Sequence, residues 1–140
     1  MTTPLPPGGQ TSPRESTFDL AALEDLRSLG ESIGPEFLPE LVDLFVQDTE
    51  LLLIQLREAV EIRDVVAVGR IAHNIKGGGG QLGARQLASS CSRLERAADV
   101  GFLSVNQTDL HEVEMDYVEL RHALRQQISQ WVPHFGGPHD

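Results

Sequence analysis

The chain has 140 residues, of which 40% are hydrophobic and 23% charged, and its formal net charge is −10. This length suits one domain, and the excess of carboxylates argues against binding of nucleic acid, which needs Lys and Arg concentrated on one surface. A single cysteine excludes an intramolecular disulfide, and neither a signal peptide nor an apolar run long enough to cross a membrane is present, so we expect a cytoplasmic protein.

The two ends of the sequence are predicted to lie outside the folded domain. Residues 1–16 are rich in Pro, Gly, Ser and Thr and offer almost no side chain for burial, which is typical of a disordered leader. Residues 133–140, PHFGGPHD, are expected to form a loose tail. The domain is therefore predicted to span residues 17–132, enough for one apolar core without a disulfide or a structural metal.

The first two predicted helices are marked by apolar residues at helical spacing, with no competing strand pattern. The first runs from about Asp19 to Ser28, and Gly30 and Gly34 are expected to bracket the loop after it. The start of the second stays open, because Pro35 suits a first helical position whereas Pro39 would interrupt the early hydrogen bonds. The broad apolar face of the second helix comprises Phe37, Leu38, Leu41, Val42, Leu44, Phe45, Leu52 and Leu56.

Three more helices complete the predicted fold. The third begins near Asp64, a good N-cap, and its end is uncertain because four glycines occupy residues 77–80. The apolar positions of the third, fourth and fifth helices are Val65, Val68, Ile71, Ala72 and Ile75; Leu87, Cys91, Leu94 and Ala98; and Leu110, Val113, Tyr117, Leu120, Leu124, Ile128 and Trp131. Short connections between such helices favour an all-α, up-down antiparallel four-helix bundle with a short extra N-terminal helix. Because this core closes within one chain, we expect a monomer.

His73 is predicted to lie on the outward face of the third helix. With about 100° per residue, its side chain falls roughly 150° from the centre of the apolar stripe. Gly69, Gly77 and Gly80 share the outward face, and Lys76, the only lysine in the chain, flanks His73 at i+3. A neutral imidazole is a nucleophile toward phosphorus near neutral pH, and a lysine one turn away offsets part of the charge of a phosphoryl group. Glycines on the neighbouring turns leave room for a second protein.

The segment AHNIKGGGGQLGARQLASSCSRLE resembles the signature of the histidine phosphotransfer (HPt) family, roughly His-x-x-Lys-Gly followed by Gly-Ala, Leu and Leu-Glu. The resemblance implies a helical bundle that carries a phosphoryl group between receiver domains. It implies that His73 is the phosphoacceptor, that Lys76 supports the phosphoryl group and that Gly77 clears its approach. Glu95 matches a polar position that hydrogen-bonds the imidazole ring and orients it.

Other positions bear on this resemblance. Phe45 looks like the aromatic side chain that packs beneath the site in the family. Gly78 and Gly79 depart from the pattern, because the family often has Ser or Ala there, and they leave the rigidity of the end of the third helix open.

The resemblance also implies the partners, which are response-regulator receiver domains, a hybrid sensor kinase, or both. A receiver would present an aspartyl phosphate with its own Mg²⁺, so this chain is expected to hold no cofactor and no metal. The predicted docking surface surrounds His73 on the outward face and consists of Val66, Gly69, Arg70, Lys76, Gly80 and Gln81.

Two alternative functions stay open. One is a docking module with the same fold that binds a receiver and never carries phosphate, although an intact His73 with Lys76 and Gly77 disfavours it. The other is a histidine kinase that phosphorylates itself. Asn74 follows His73 where kinase dimerisation helices typically have an acid, and the remaining residues are too few for an ATP-binding domain, so we expect no autokinase activity.

Weaker signals point to other sites. The glycine-rich segment next to Lys76 suggests a phosphate-binding P-loop, but in a P-loop the glycines precede the lysine and here they follow it, so the match fails. His111 and His122 would share a face of the fifth helix, but a zinc site needs at least a third ligand. Cys91 lies on an apolar stripe, which indicates a buried structural thiol.

Overall fold

The computed structural model describes residues 17–101 and 105–131. They form five helices: α1 (Leu20–Glu31), α2 (Phe37–Glu61), α3 (Val65–Gly80), α4 (Arg85–Val100) and α5 (Gln107–Trp131). No strand occurs in these two ranges, which confirms the predicted all-α class. The predicted leader, residues 1–16, and the predicted tail, residues 133–140, lie outside the described residues.

Helices α2 to α5 form the bundle. Each packs against its neighbour in the chain, α5 returns to pack against α2, and α1 packs against α2. The four-helix bundle with an extra N-terminal helix is therefore confirmed. The largest fully buried side chains are Phe18, Leu23, Leu56, Ile75, Leu82, Leu87, Leu94, Leu110, Leu120, Leu124, Val42 and Val68. None of the five described helices is long and apolar enough to cross a membrane.

Helix α1 is longer than predicted. It begins after the N-cap Asp19, whose carboxylate accepts a hydrogen bond of 3.1 Å from the backbone N–H of Ala21, and it continues to Glu31. Gly30, which was expected to open the following loop, lies inside the helix, so that prediction is wrong. A Cβ at Gly30 would collide with the ring of Phe37, and the glycine therefore permits close packing of α1 on α2.

The start of α2 answers the question left open by two prolines. The helix begins at Phe37, so Pro35 precedes it and Pro39 lies in its first turn. Because the N–H groups of a first helical turn have no partner within the helix, a proline removes no hydrogen bond there. Pro39 is buried and contributes its ring to the packing.

The glycine run belongs to α3. The Asp64 carboxylate caps the start of this helix by accepting a hydrogen bond of 3.1 Å from the Ala67 N–H, and helical backbone continues through Gly80. Gly79 faces inward, where an added Cβ would lie 2.9 Å from the Cβ of Ala84 and 3.6 Å from the Phe45 ring. The close contact at Gly79 and the tight turn through Gly83, which has φ +70°, bring α4 directly alongside α3.

Candidate functional site

The burial pattern of α3 places His73 on its outer surface. Val68, Ile71, Ala72 and Ile75 are buried in the core, whereas 65% of the His73 side chain is exposed. The imidazole therefore lies where another protein can reach it, as the helical spacing predicts.

One carboxylate links the two polar side chains that the sequence singles out on α3. Glu95 on α4 lies across the helix pair, with its Oε2 3.0 Å from the Nδ1 of His73. Its second oxygen, Oε1, accepts a hydrogen bond of 2.9 Å from the Nζ of Lys76. A carboxylate only accepts hydrogen bonds, so Nδ1 carries the ring proton in this arrangement and Nε2 of a neutral imidazole keeps its lone pair.

The Glu95 carboxyl group is ionised near neutral pH. The hydrogen bond from Lys76 is the main reason that the pKa of Glu95 is lowered; the Lys76 charge and the hydrogen bond from His73 add to the effect, while partial burial opposes it. A stable negative charge beside Nδ1 favours the Nδ1–H tautomer of the neutral ring.

Ser92 is a site residue that the sequence reasoning missed. Its hydroxyl oxygen lies 3.3 Å from the Nζ of Lys76, one turn before Glu95 on α4. Lys76 thus has two partners on α4 and its side chain is only about a third exposed. The spacing of three residues between Ser92 and Glu95 puts both on one face of α4 and is the signal from which this contact could have been found.

The two predicted non-polar components of the site are Gly77 on α3 and Phe45 on α2. Gly77 is exposed, and an added Cβ would meet no atom within 4 Å, so the space above it is open. Phe45 is buried beneath this part of the helix and, with Leu41, lines a groove next to Gly78.

The predicted docking surface divides into two parts. Gly69 and Arg70 line a shallow depression together with His73 and Glu95, at the N-terminal side of the imidazole. Val66 belongs to the same depression and is 77% exposed. Gly80 and Gln81 are exposed at the other end of α3, where Gln81 borders the groove beside Phe45.

The remaining candidates do not form a second site. Cys91 is fully buried, and burial raises its pKa to about 12, which fits a structural thiol. His111 and His122 are exposed on α5. Within residues 17–101 and 105–131, no three His, Cys, Asp or Glu side chains lie close enough together to hold a metal.

Comparisons with known proteins show the family to which this fold belongs. The family model described as Hpt domain matches residues 40–131. A crystal structure of histidine-containing phosphotransfer protein B from Pseudomonas aeruginosa PAO1 superposes with a TM-score of 0.73 at 31% identity, covering 81% of this chain and 96% of that one.

Plant proteins are also similar. Histidine-containing phosphotransfer protein 5 of Arabidopsis thaliana is 27% identical over 104 residues, which are 72% of this chain and 66% of the plant protein. Pseudo histidine-containing phosphotransfer protein 2 of Oryza sativa subsp. japonica is 22% identical over 117 residues, 79% of this chain and 78% of the rice protein. Together with the matching family model and the bacterial structure, these relatives show that the chain belongs to the Hpt domain family.

Proposed function

We propose that this chain is a histidine-containing phosphotransfer protein that shuttles phosphoryl groups between aspartates of receiver domains through His73. The environment of the imidazole carries the assignment of His73: the ring is exposed, its Nδ1 is held by the Glu95 carboxylate, and its Nε2 makes no hydrogen bond to a described residue. The names of the relatives from Arabidopsis thaliana and Pseudomonas aeruginosa support the activity.

The geometry supports the following proton and electron balance for the transfer. The Nε2 lone pair of His73 attacks phosphorus, and the bond from phosphorus to the aspartyl oxygen of the receiver breaks, its electron pair leaving with the carboxylate. Nδ1 keeps its proton, so the phosphorylated ring gains a positive charge beside the negative charge of Glu95. The protonated ring is in turn a good leaving group, which makes the transfer reversible.

The other site residues act around this step. Lys76 supplies positive charge one turn from the reacting nitrogen, and Gly77 leaves space for the incoming receiver. The docking surface of Val66, Gly69, Arg70, Lys76, Gly80 and Gln81 contacts the receiver around His73. Mg²⁺ is expected to come with the acidic pocket of the receiver, and the chain has no autokinase activity of its own in this proposal.

The direct test is transfer of a radioactive phosphoryl group from a phosphorylated receiver. Wild type becomes labelled, the label is lost in acid and stable in base, and His73→Gln takes up none. His122→Gln is the matched control, because it removes an exposed histidine on α5, and it keeps full labelling. A labelled His73→Gln protein contradicts the site, and labelling of the wild type by ATP alone contradicts the absence of autokinase activity.

The second candidate is a docking module that carries no phosphate. One observation favours it, since the name of one relative, the rice protein, contains the word "pseudo". This candidate predicts that wild type and His73→Gln bind a receiver equally well and that neither takes up label from any phosphorylated receiver. Circular dichroism of both proteins verifies that they are folded in that experiment.

A further inference from the structure

The shallow depression beside His73 is lined by more carboxylates than permanent cations, which is unfavourable for a negatively charged phosphoryl group. Its floor is formed by the small residues Gly69 on α3 and Ala98 on α4. A Cβ added at Gly69 would lie 3.5 Å from the Cβ of Ala98. Two carboxylates, Glu95 and Asp99, line its α4 side. Arg70 is the one permanent cation among the described residues that line it.

Lys76 does not correct this balance in the resting protein. Its ammonium group is bound to the Glu95 carboxylate at 2.9 Å and to the Ser92 hydroxyl at 3.3 Å, so the charges of Lys76 and Glu95 largely cancel. A phosphoryl group on His73 adds roughly two negative charges in the immediate vicinity. A third N–H donor of the ammonium group can still reach a phosphoryl oxygen, but the charge of Lys76 stays shared with Glu95.

Arg70 has the position and the freedom to bind the phosphoryl group. It lies one turn before His73, it is exposed, and it has no ion-pair partner among residues 17–101 and 105–131. Side chains of a helix lean toward its N-terminus, so the imidazole leans over the turn that contains Gly69 and Arg70. Cβ atoms three residues apart on a helix are about 5–6 Å apart, within reach of an arginine side chain. A guanidinium group binds phosphate oxygens through two parallel hydrogen bonds.

We propose that Arg70 binds the phosphoryl group carried on Nε2 of His73, in addition to its place on the docking surface. This inference rests on the proposed function, because it needs His73 to be phosphorylated. Lys76 then holds Glu95 and supplies a positive charge that Glu95 largely offsets, and Arg70 supplies a second positive charge that has no ion-pair partner among the described residues.

The test uses the phosphorylated protein without any receiver, so that docking has no influence. Phosphoramidate phosphorylates the histidine, and ³¹P NMR follows the second ionisation of the phosphoryl group with pH. Arg70→Gln raises the pKa of the phosphoryl group by about half a unit, because the dianion loses its cation. More of the phosphoryl group is then protonated near neutral pH, and we expect hydrolysis of the adduct to be about two- to threefold faster.

Two control variants separate charge from position. Arg70→Lys keeps the charge and retains most of the effect on the pKa of the phosphoryl group. Arg125→Gln removes an exposed arginine of α5 and leaves both the pKa and the hydrolysis rate at the wild-type values. Circular dichroism verifies that Arg70→Gln is folded.

Each contrary result has a distinct meaning. If Arg70→Gln weakens receiver binding while the pKa and lifetime of the phosphoryl group stay unchanged, Arg70 is a docking residue only and the inference is wrong. If wild-type His73 takes up no phosphoryl group from phosphoramidate or from a receiver, the proposed function fails and this inference fails with it.

Discussion

Two glutamates of the bundle each bind two side chains of a neighbouring helix. Glu95 on α4 is bonded to His73 and Lys76 of α3, and Glu50 on α2 accepts hydrogen bonds from Tyr117 at 2.8 Å and Arg121 at 2.7 Å, both on α5. Both carboxyl groups have a lowered pKa, Glu95 chiefly through the hydrogen bond from Lys76 and Glu50 chiefly through that from Tyr117.

The two clusters differ in whether the side chain bound to the glutamate keeps a further atom that is free to react. The Tyr117 side chain is buried, burial raises its pKa, and its single proton is used within the α2–α5 pair. The His73 ring is exposed, and its second nitrogen makes no hydrogen bond to a described residue. A carboxylate with two donors therefore ties two helices together at Glu50, and at Glu95 it also leaves one nitrogen of an exposed ring without a partner among the described residues.

The largest expected effects come from Glu95→Gln and Glu50→Gln, each of which removes the charge of one carboxylate. Glu95→Gln slows transfer to His73 roughly tenfold, because glutamine cannot hold both the ring and Lys76 as a charged acceptor. The same variant changes the free energy of unfolding by at most about 0.5 kcal/mol, since its ion pair is partly exposed. Stopped-flow transfer kinetics and urea unfolding measure the two quantities.

Glu50→Gln gives the opposite pair of results. It lowers the free energy of unfolding by about 1 kcal/mol, because the buried Tyr117 hydroxyl loses a charged acceptor, whereas the exposed pair of Glu50 with Arg121 adds little. The transfer rate stays unchanged. A tenfold slower transfer in Glu50→Gln would mean that the two clusters are not separate in function.

Cys91 provides an independent measure of the same comparison. The thiol is buried with a pKa raised to about 12, so it reacts with iodoacetamide only when the bundle opens. Glu50→Gln is expected to accelerate this alkylation about fivefold, in line with a loss of about 1 kcal/mol, whereas Glu95→Gln leaves it within twofold of wild type. Equal acceleration in both variants would show that Glu95 is also a major structural residue.

Two glycines of α3 sharpen the contrast between an open surface and a packed one. Gly77→Ala stabilises the protein by up to about 1 kcal/mol, because alanine favours the helix and an added Cβ meets no atom within 4 Å. Gly79→Ala destabilises it, because its Cβ would lie 2.9 Å from that of Ala84. Thermal unfolding of the two variants gives the signs, and slower transfer is expected for Gly77→Ala because its methyl group projects toward the receiver. A stabilised Gly79→Ala protein would contradict the close contact.

The pH dependence of stability is the smallest expected effect. Both glutamates have folded pKa values below the ordinary value of 4.5, so each contributes stability that is fully present above pH 4.5 and is lost as the pH falls through its folded pKa. Urea unfolding of Glu50→Gln and Glu95→Gln, from neutral pH to about pH 3, should therefore show a shallower acid loss than wild type. An acid loss identical to that of wild type would remove these groups from the account.

Much of the fold follows from the sequence because apolar spacing dominates it. The Asp64 cap, the buried stripe of α3 and the outward His73 all follow from the helical repeat. The end of α3 does not follow from the sequence, because glycine intrinsically favours a loop. Only the packing of Gly79 on Ala84 and Phe45 shows that the helix continues. The same holds for Gly30, whose place inside α1 depends on the Phe37 ring of the next helix.

The site is predictable only in part. His73 and Lys76 share one helix, so their spacing could be read from the sequence, whereas Glu95 and Ser92 belong to another helix whose rotation sets the contact. The role of Glu95 came from the family resemblance alone. That its carboxylate holds His73 and Lys76 at the same time depends on the close α3–α4 packing in three dimensions.

The central claim is that Glu95 holds Nδ1 of His73 and leaves Nε2 as the nucleophile. Long-range ¹H–¹⁵N NMR of the protein labelled with ¹⁵N in its histidines, recorded before and after phosphotransfer from a receiver, tests it most directly. The account predicts that Nδ1 of His73 carries the proton beforehand and that phosphorus is bonded to Nε2 of His73 afterwards. A phosphoryl group on Nδ1, or on another histidine such as His111 or His122, would contradict it.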